Sequence, residues 1–159
     1  MSSLDAMYQE LIMDHARHPH GRGLAEGFDG ESFQVNPTCG DRIQLRVALG
    51  DGQVSGITWD GQGCSISQAS ASMMKDLAEG KTLEEVAALG DVFTELMRSR
   101  GRGIDEAKAD QLGDAVALEG VSRYPMRVKC ALLGWMALKD AAAKAAAGDS
   151  SPARIPEGI

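Results

Sequence analysis

Three cysteines, Cys39, Cys64 and Cys130, are the residues of this chain whose types and placement point to chemistry. An odd number of thiols reads poorly as a disulfide framework and better as reduced thiols, either packed in a core or held as thiolates. Free cysteine is a common core filler, so burial is the default reading. Placement argues otherwise. Cys39 falls in the turn Asn36-Pro37-Thr38-Cys39-Gly40-Asp41, Cys64 at the junction of a strand and a helix, and Cys130 within about two turns of a helix start. A helix N-terminus carries partial positive charge and favours a thiolate, directly at Cys64 and more weakly at Cys130. Arg127, three residues before Cys130, shares its helix face and adds a guanidinium. Asp41 follows Cys39 at C-x-D spacing, and in extended backbone such residues point to the same side. Cys39, Asp41, Cys64 and Cys130 together make a four-ligand tetrahedral set suited to zinc. The carboxylate among thiolates leaves one weaker, more exchangeable position.

The elements that must position these groups read as α+β. The first segment, Ser2 to His18, carries Leu4, Met7, Tyr8, Leu11, Ile12 and His15 on one helical stripe, with Ser2 or Ser3 as its cap. A loop rich in Gly and acids is expected up to Asn36-Pro37. From Arg42 the period changes to two, with Ile43, Leu45, Val47 and Leu49 on one side. Gly50-Asp51-Gly52 suits a tight hairpin, and Gly56 breaks the alternation of the returning strand, which suggests a bulge. Helical spacing resumes after Cys64 and ends at Gly80. Thr82-Leu83-Glu84-Glu85 is a capping box. Residues 91–120 read as helix interrupted by Gly. A last helix starts at Pro125 and stops at Gly148. The expected fold is a small antiparallel sheet of about three strands with helices packed on one face. Residues 1–148 form the single domain, and residues 149–159 are expected to be a disordered tail.

Composition bounds the function. The 159 residues are 43% hydrophobic and 25% charged, with a net charge of −7. That balance suits a globular domain and disfavours a nucleic-acid binder. No run of about 18 apolar residues exists to cross a membrane. The opening residues lack a signal-peptide layout, so the cytoplasm is the expected location.

The motifs Asn36 to Asp41, Gly61-x-Gly63-Cys64-Ser65-Ile66-Ser67 and Tyr124-Pro125-x-Arg127-x-Lys129-Cys130 resemble those of the IscU/SufU superfamily of iron–sulfur cluster assembly proteins, which includes NifU N-terminal-like domains. The segment Tyr8 to His15 is similar to that family's first helix. Lys129 stands where the scaffold branch carries a His, and the long segment between Cys64 and Cys130 looks like the SufU branch. The resemblance implies a zinc-dependent sulfurtransferase with Cys39, Asp41, Cys64 and Cys130 as zinc ligands. It gives Cys39 the role of sulfur acceptor and Arg127 that of steadying the exchanged thiolate. It implies as partners a cysteine desulfurase of the SufS type, which uses pyridoxal phosphate, and a downstream SUF scaffold. The alternatives are a scaffold carrying a transient [2Fe–2S] cluster on the same thiolates, or a small interaction domain with structural zinc. A monomer or weak dimer is expected.

Other features have plainer readings. His15 reads as a core or cap histidine, and His18 and His20 as surface turn residues that could also bind metal. Arg98, Arg100 and Arg102 read equally as a solvated loop or as a docking surface for an acidic partner. The methionines read mostly as core filler, and Trp59 and Trp135 as structural.

Overall fold

The computed structural model describes residues 3–156. The elements run α1 (Ser3–Arg17), β1 (Gly30–Asn36), β2 (Asp41–Gly50), β3 (Gln53–Gln62), α2 (Ser65–Ala78), α3 (Leu83–Met97), α4 (Glu106–Asp110), a 3-10 segment (Gly113–Arg123) and α5 (Pro125–Ala146). The strands form one antiparallel sheet in the order β1-β2-β3. On β2, Asp41, Ile43, Leu45 and Val47 are buried, while Arg42, Gln44 and Arg46 are half-buried on the opposite face. The helices cover the first of these faces. The expected α+β architecture is therefore the observed one.

β1 corrects the sequence reading, which took Gly30–Asn36 as loop. Its burial does not alternate, and Glu31, Ser32 and Gln34 hide the strand from any apolar pattern. Glu31 pairs across to Arg46 and turns away from the helices, yet it is only 2% exposed. Its carboxylate accepts from Arg46, from Gln44 Nε2 at 3.0 Å and from the Ala153 N–H at 2.8 Å. A segment without regular structure, from the chain's C-terminal end, thus closes over this carboxylate. On the other face Ser32 donates to Asp140 of α5 at 2.7 Å. Gly30 lies so close to α5 that a Cβ there would collide with the Ala141 carbonyl.

The hairpin turn falls at Asp51 and Gly52, both at positive φ. The register of β2 against β3 shifts between Ala48 and Leu49, which leaves Ser55 beside Gly56 as the extra residue of a bulge. Thr82 and Glu85 complete the capping box of α3, and Gly80, at φ +91°, follows the C-cap of α2.

Three further expectations change. The stripe of α1 buries only His15 among the described residues. Leu4 and Met7 are 49% and 51% exposed, and the helix packs through Tyr8, Leu11, Ile12 and Ala16 nearer its C-terminal half. The Ser2 cap lies outside the described residues, as does the end of the tail, 157–159. Residues 91–120, read as helix interrupted by Gly, do break between Met97 and Glu106 and again before Gly113, but the stretch after the second break is a 3-10 segment rather than α-helix. Of the methionines, Met73, Met74 and Met97 fill the core, but Met7, Met13, Met126 and Met136 are exposed. Trp59 and Trp135 are buried as expected, the latter stacked on Phe93 at 4.6 Å. No described helix is long and apolar enough to cross a membrane.

Candidate metal centre

Two connections at the same end of the sheet build the centre. The turn between β1 and β2 carries Cys39, and β3 leaves the sheet at Gln62, opposite Arg42, to reach Cys64 as the N-cap residue of α2. Gly40, at φ +77°, lets the turn close, and its N–H donates to the Asn36 carbonyl at 2.8 Å. Cys130 arrives from the second turn of α5, whose N-terminus Pro125 opens.

The side chains meet. Cys39 Sγ is 3.5 Å from Cys130 Sγ, and Cys64 Sγ is 3.5 Å from Asp41 Oδ2. Cys39, Asp41 and Cys130 each offer a ligand atom within 4.8 Å of the other two. Cys64 joins this group through Asp41. Cys39 and Cys64 are exposed, whereas Cys130 and Asp41 are buried. Burial pushes the Cys130 thiol well up from its ordinary value, and its contacts with Cys39, Asp41 and Cys64 push it further the same way. A cation bound at the sulfur would displace that proton to solvent.

The donor set fits zinc. Tetrahedral thiolate coordination sets sulfurs about 3.8 Å apart, close to the observed Cys39–Cys130 separation and far beyond a disulfide bond. Two neighbouring groups supply what a ligated carboxylate needs. Asn36 is buried beside Asp41, its direct cross-strand partner. Its Oδ1 accepts the Thr38 N–H at 3.2 Å, which fixes the orientation of the amide, and its Nδ2 has no acceptor among the described residues. Buried orphan donors are rare, and one next to a candidate ligand is suited to orienting it. Gly63 leaves the space that Asp41 occupies: a Cβ there would sit 2.9 Å from Asp41 Cγ and collide with the Ser67 hydroxyl. Ser67 Oγ in turn donates to the Cys64 carbonyl at 2.9 Å.

Arg127 is exposed, and its guanidinium carbon lies 5.6 Å from the centre of the Tyr124 ring rather than against a sulfur. Tyr124 and Met126 beside it are also exposed. Arg98, Arg100 and Arg102 are exposed in the loop after α3. His15 is buried at 3% exposure, as a core histidine, while His18 and His20 are exposed. Sequence reasoning gave no role to Asn36, Gly63 or Ser67. All three lie within two of the motifs that carry the family resemblance, which assigned roles there only to the cysteines and Asp41.

The sequence pattern of the NifU-like N terminal domain matches residues 7–144. SufU of Bacillus subtilis strain 168, named a zinc-dependent sulfurtransferase, is 40% identical over 151 residues, covering 93% of this chain and 97% of that protein. IscU of Streptococcus pyogenes serotype M1, named an iron–sulfur cluster assembly scaffold, is 39% identical over 146 residues, covering 92% and 89%. The crystal structure of FiSufU from Fervidobacterium islandicum AW-1, described as an iron–sulfur cluster assembly scaffold for the SUF system, superposes with a TM-score of 0.73 at 30% identity, covering 89% of this chain and 99% of that one. With its thiols and carboxylate gathered at one end of a three-stranded sheet, the chain belongs to the NifU-like N-terminal domain family.

Proposed function

We propose that the chain is a zinc-dependent sulfur acceptor, which takes persulfide sulfur from a cysteine desulfurase and relays it to iron–sulfur cluster assembly. The observation that carries this reading is the contrast between two neighbouring thiols: Cys39, exposed on a turn, and Cys130, buried on a helix 3.5 Å away. The name of the SufU relative supports it.

Cys39, Asp41, Cys64 and Cys130 would hold the ion, which keeps thiolates deprotonated at neutral pH. The transfer itself is thiol exchange. Cys39 Sγ, as thiolate, attacks the outer sulfur of the partner's persulfide. A bond forms between Cys39 Sγ and that sulfur, and the bond to the partner's cysteine breaks, releasing it as a thiolate. Exposure of Cys39 admits the donor, and burial of Cys130 and Asp41 keeps those two ligands out of the exchange. Arg127, held on the open side of α5 by the Tyr124 ring, turns to steady the attacking thiolate. The partner is a desulfurase of the SufS type, the consumer is a SUF scaffold, the location is the cytoplasm, and the protein acts as a monomer or weak dimer. The scaffold reading rests on the name of the IscU relative and on the same thiolates.

One experiment separates the two. Purified protein is analysed for metal, incubated with a pyridoxal-phosphate-dependent desulfurase and cysteine, and mapped by mass spectrometry without reductant. One zinc and one added sulfur on Cys39 support the relay. Iron with acid-labile sulfide supports the scaffold, and undiminished sulfur uptake by Cys39→Ala overturns the assignment of the acceptor.

A further inference from the structure

A second group of ligating side chains lies outside the thiol centre, at the seam where the end of α1 meets α2 and the 3-10 segment. One nitrogen from each of the His15 and His20 rings and a carboxylate oxygen of Asp76 lie within 4.8 Å of one another. The rings are 4.9 Å apart, and His20 Nδ1 is 2.6 Å from Asp76 Oδ2. The sequence placed His18 beside His20; the fold instead brings His20 back onto His15.

His15 is held on both sides. Its Nε2 lies 3.1 Å from Asp114 Oδ2, and its Nδ1 lies 2.7 Å from Ser72 Oγ. An ionised carboxylate only accepts hydrogen bonds, so Nε2 carries the hydrogen and, in the neutral ring, Nδ1 keeps the lone pair. Ser72 Oγ accepts the His20 N–H at 2.7 Å and directs its own hydrogen to that lone pair. A ring whose N–H is fixed by a carboxylate, with the lone pair kept on its other nitrogen, is the arrangement of metal-ligating histidines.

We propose that His15, His20 and Asp76 form a second cation site, for a borderline divalent ion such as zinc, separate from the thiol centre. Asp76 lies twelve positions after Cys64 along α2, about 18 Å by helical rise, so the two groups do not share an ion. Two imidazoles and a carboxylate with a fourth position open to water are a zinc-type set. To bind the ion, His20 takes the neutral tautomer with its hydrogen on Nε2, which leaves the Nδ1 lone pair facing Asp76, and the Ser72 hydroxyl turns aside from His15 Nδ1. Tetrahedral coordination wants these donors about 3.3 Å apart. His20, its side chain 47% exposed, is the part able to close the gap. Because His15 is the buried anchor of α1, occupancy ties the end of α1 to α2.

Cobalt(II) titration of the full chain tests this. Wild type is expected to take up two equivalents, one with the thiolate-to-metal charge-transfer absorption of the thiol centre and one without it. His20→Ala and Asp76→Asn each keep the first and weaken the second by about tenfold or more, while His18→Ala changes neither. His20 and Asp76 are surface side chains, and thermal melts confirm that both variants are folded. Uptake that ends at one banded equivalent, or a second equivalent unchanged in both variants, overturns the proposal. Uptake of the unbanded equivalent alone supports it and counts against the zinc reading of the thiol centre.

Discussion

Asn36 and Asp41 face each other across β1 and β2, both buried, so the turn that presents Cys39 stands on an amide whose Nδ2 has no acceptor among the described residues and a carboxylate that touches Cys64. The amide orientation is fixed by Thr38, and its spare donor is available to the ligand beside it. Asn36→Ala should therefore lower zinc affinity by roughly 10–100-fold, the usual effect of removing a group that orients a ligand. Competition with a chromophoric chelator measures this. An unchanged affinity in a folded variant would confine Asn36 to closing the turn.

Gly63 predicts a steric effect on the same carboxylate. Gly63→Ala places a methyl group against Asp41 and Ser67. The expected outcome is weaker metal binding and a loss of about 1–3 kcal/mol in stability, typical of overpacking. Chemical denaturation with and without zinc separates the two effects, and Gly61→Ala is no control, because its Cβ would strike the Arg42 carbonyl.

The thiols should differ in reactivity once metal is removed. Chelation exposes Cys39 and Cys64 to alkylation, whereas Cys130 is buried and its raised pKa keeps it a thiol at neutral pH. Timed iodoacetamide labelling read by peptide mass spectrometry should show Cys39 and Cys64 modified well before Cys130. Added zinc should slow all three. Equal rates for the three in the metal-free protein would contradict the burial of Cys130.

Arg127→Ala should slow sulfur uptake from the desulfurase while leaving zinc content unchanged, since the guanidinium rests on Tyr124 and not on the ligands. Arg127→Lys, which keeps the charge but not the planar fork, should recover only part of the rate. Pre-steady-state labelling with sulfur-35 cysteine gives the rate, and a matching loss of zinc in Arg127→Ala would make the residue structural instead.

Acid stability should depend on Glu31. Burial alone would raise its pKa, but the hydrogen bonds from Arg46, Ala153 and Gln44 outweigh that and hold the carboxyl below its ordinary value. A carboxylate with a depressed folded pKa contributes stability that is present above its unfolded pKa and lost as pH falls through the folded one. Wild type should thus lose stability progressively below about pH 4.5. Glu31→Gln should be roughly 1–3 kcal/mol less stable at neutral pH, and the gap should close in acid. Melting temperatures across that range decide it.

Much of this architecture is legible where a single physical pattern dominates. Alternation from Ile43 to Leu49 reveals β2, the Thr82–Glu85 box starts α3, and Pro125 starts α5, because each signal is local. β1 is hidden because its buried groups are polar: Glu31 is satisfied by Arg46, Gln44 and Ala153, and no local pattern announces partners so distant in sequence. α1 shows a helical stripe whose first half finds nothing to pack against, so periodicity locates the helix and overstates its burial. At the candidate site, residue chemistry singles out the three cysteines and Asp41. The contributions of Asn36 and Gly63 come from what lies across a strand or in a missing methyl group, and these appear only in three dimensions. The pairing of His15 with His20 is of the same kind, since helical and extended spacing arguments stop at the turn around Pro19.

The β1–β2 turn and the exit of β3 contribute to one centre only because Asn36 faces Asp41 and Arg42 faces Gln62. A slip of β2 by one residue would carry Asp41 to the opposite face of the sheet and leave the three thiols without their oxygen. With the ion held by these residues as proposed, cation uptake would act as a proofreading step on folding. A chain paired out of register would gain no stabilisation from the ion, so the metal would favour the correctly zipped sheet over its near neighbours.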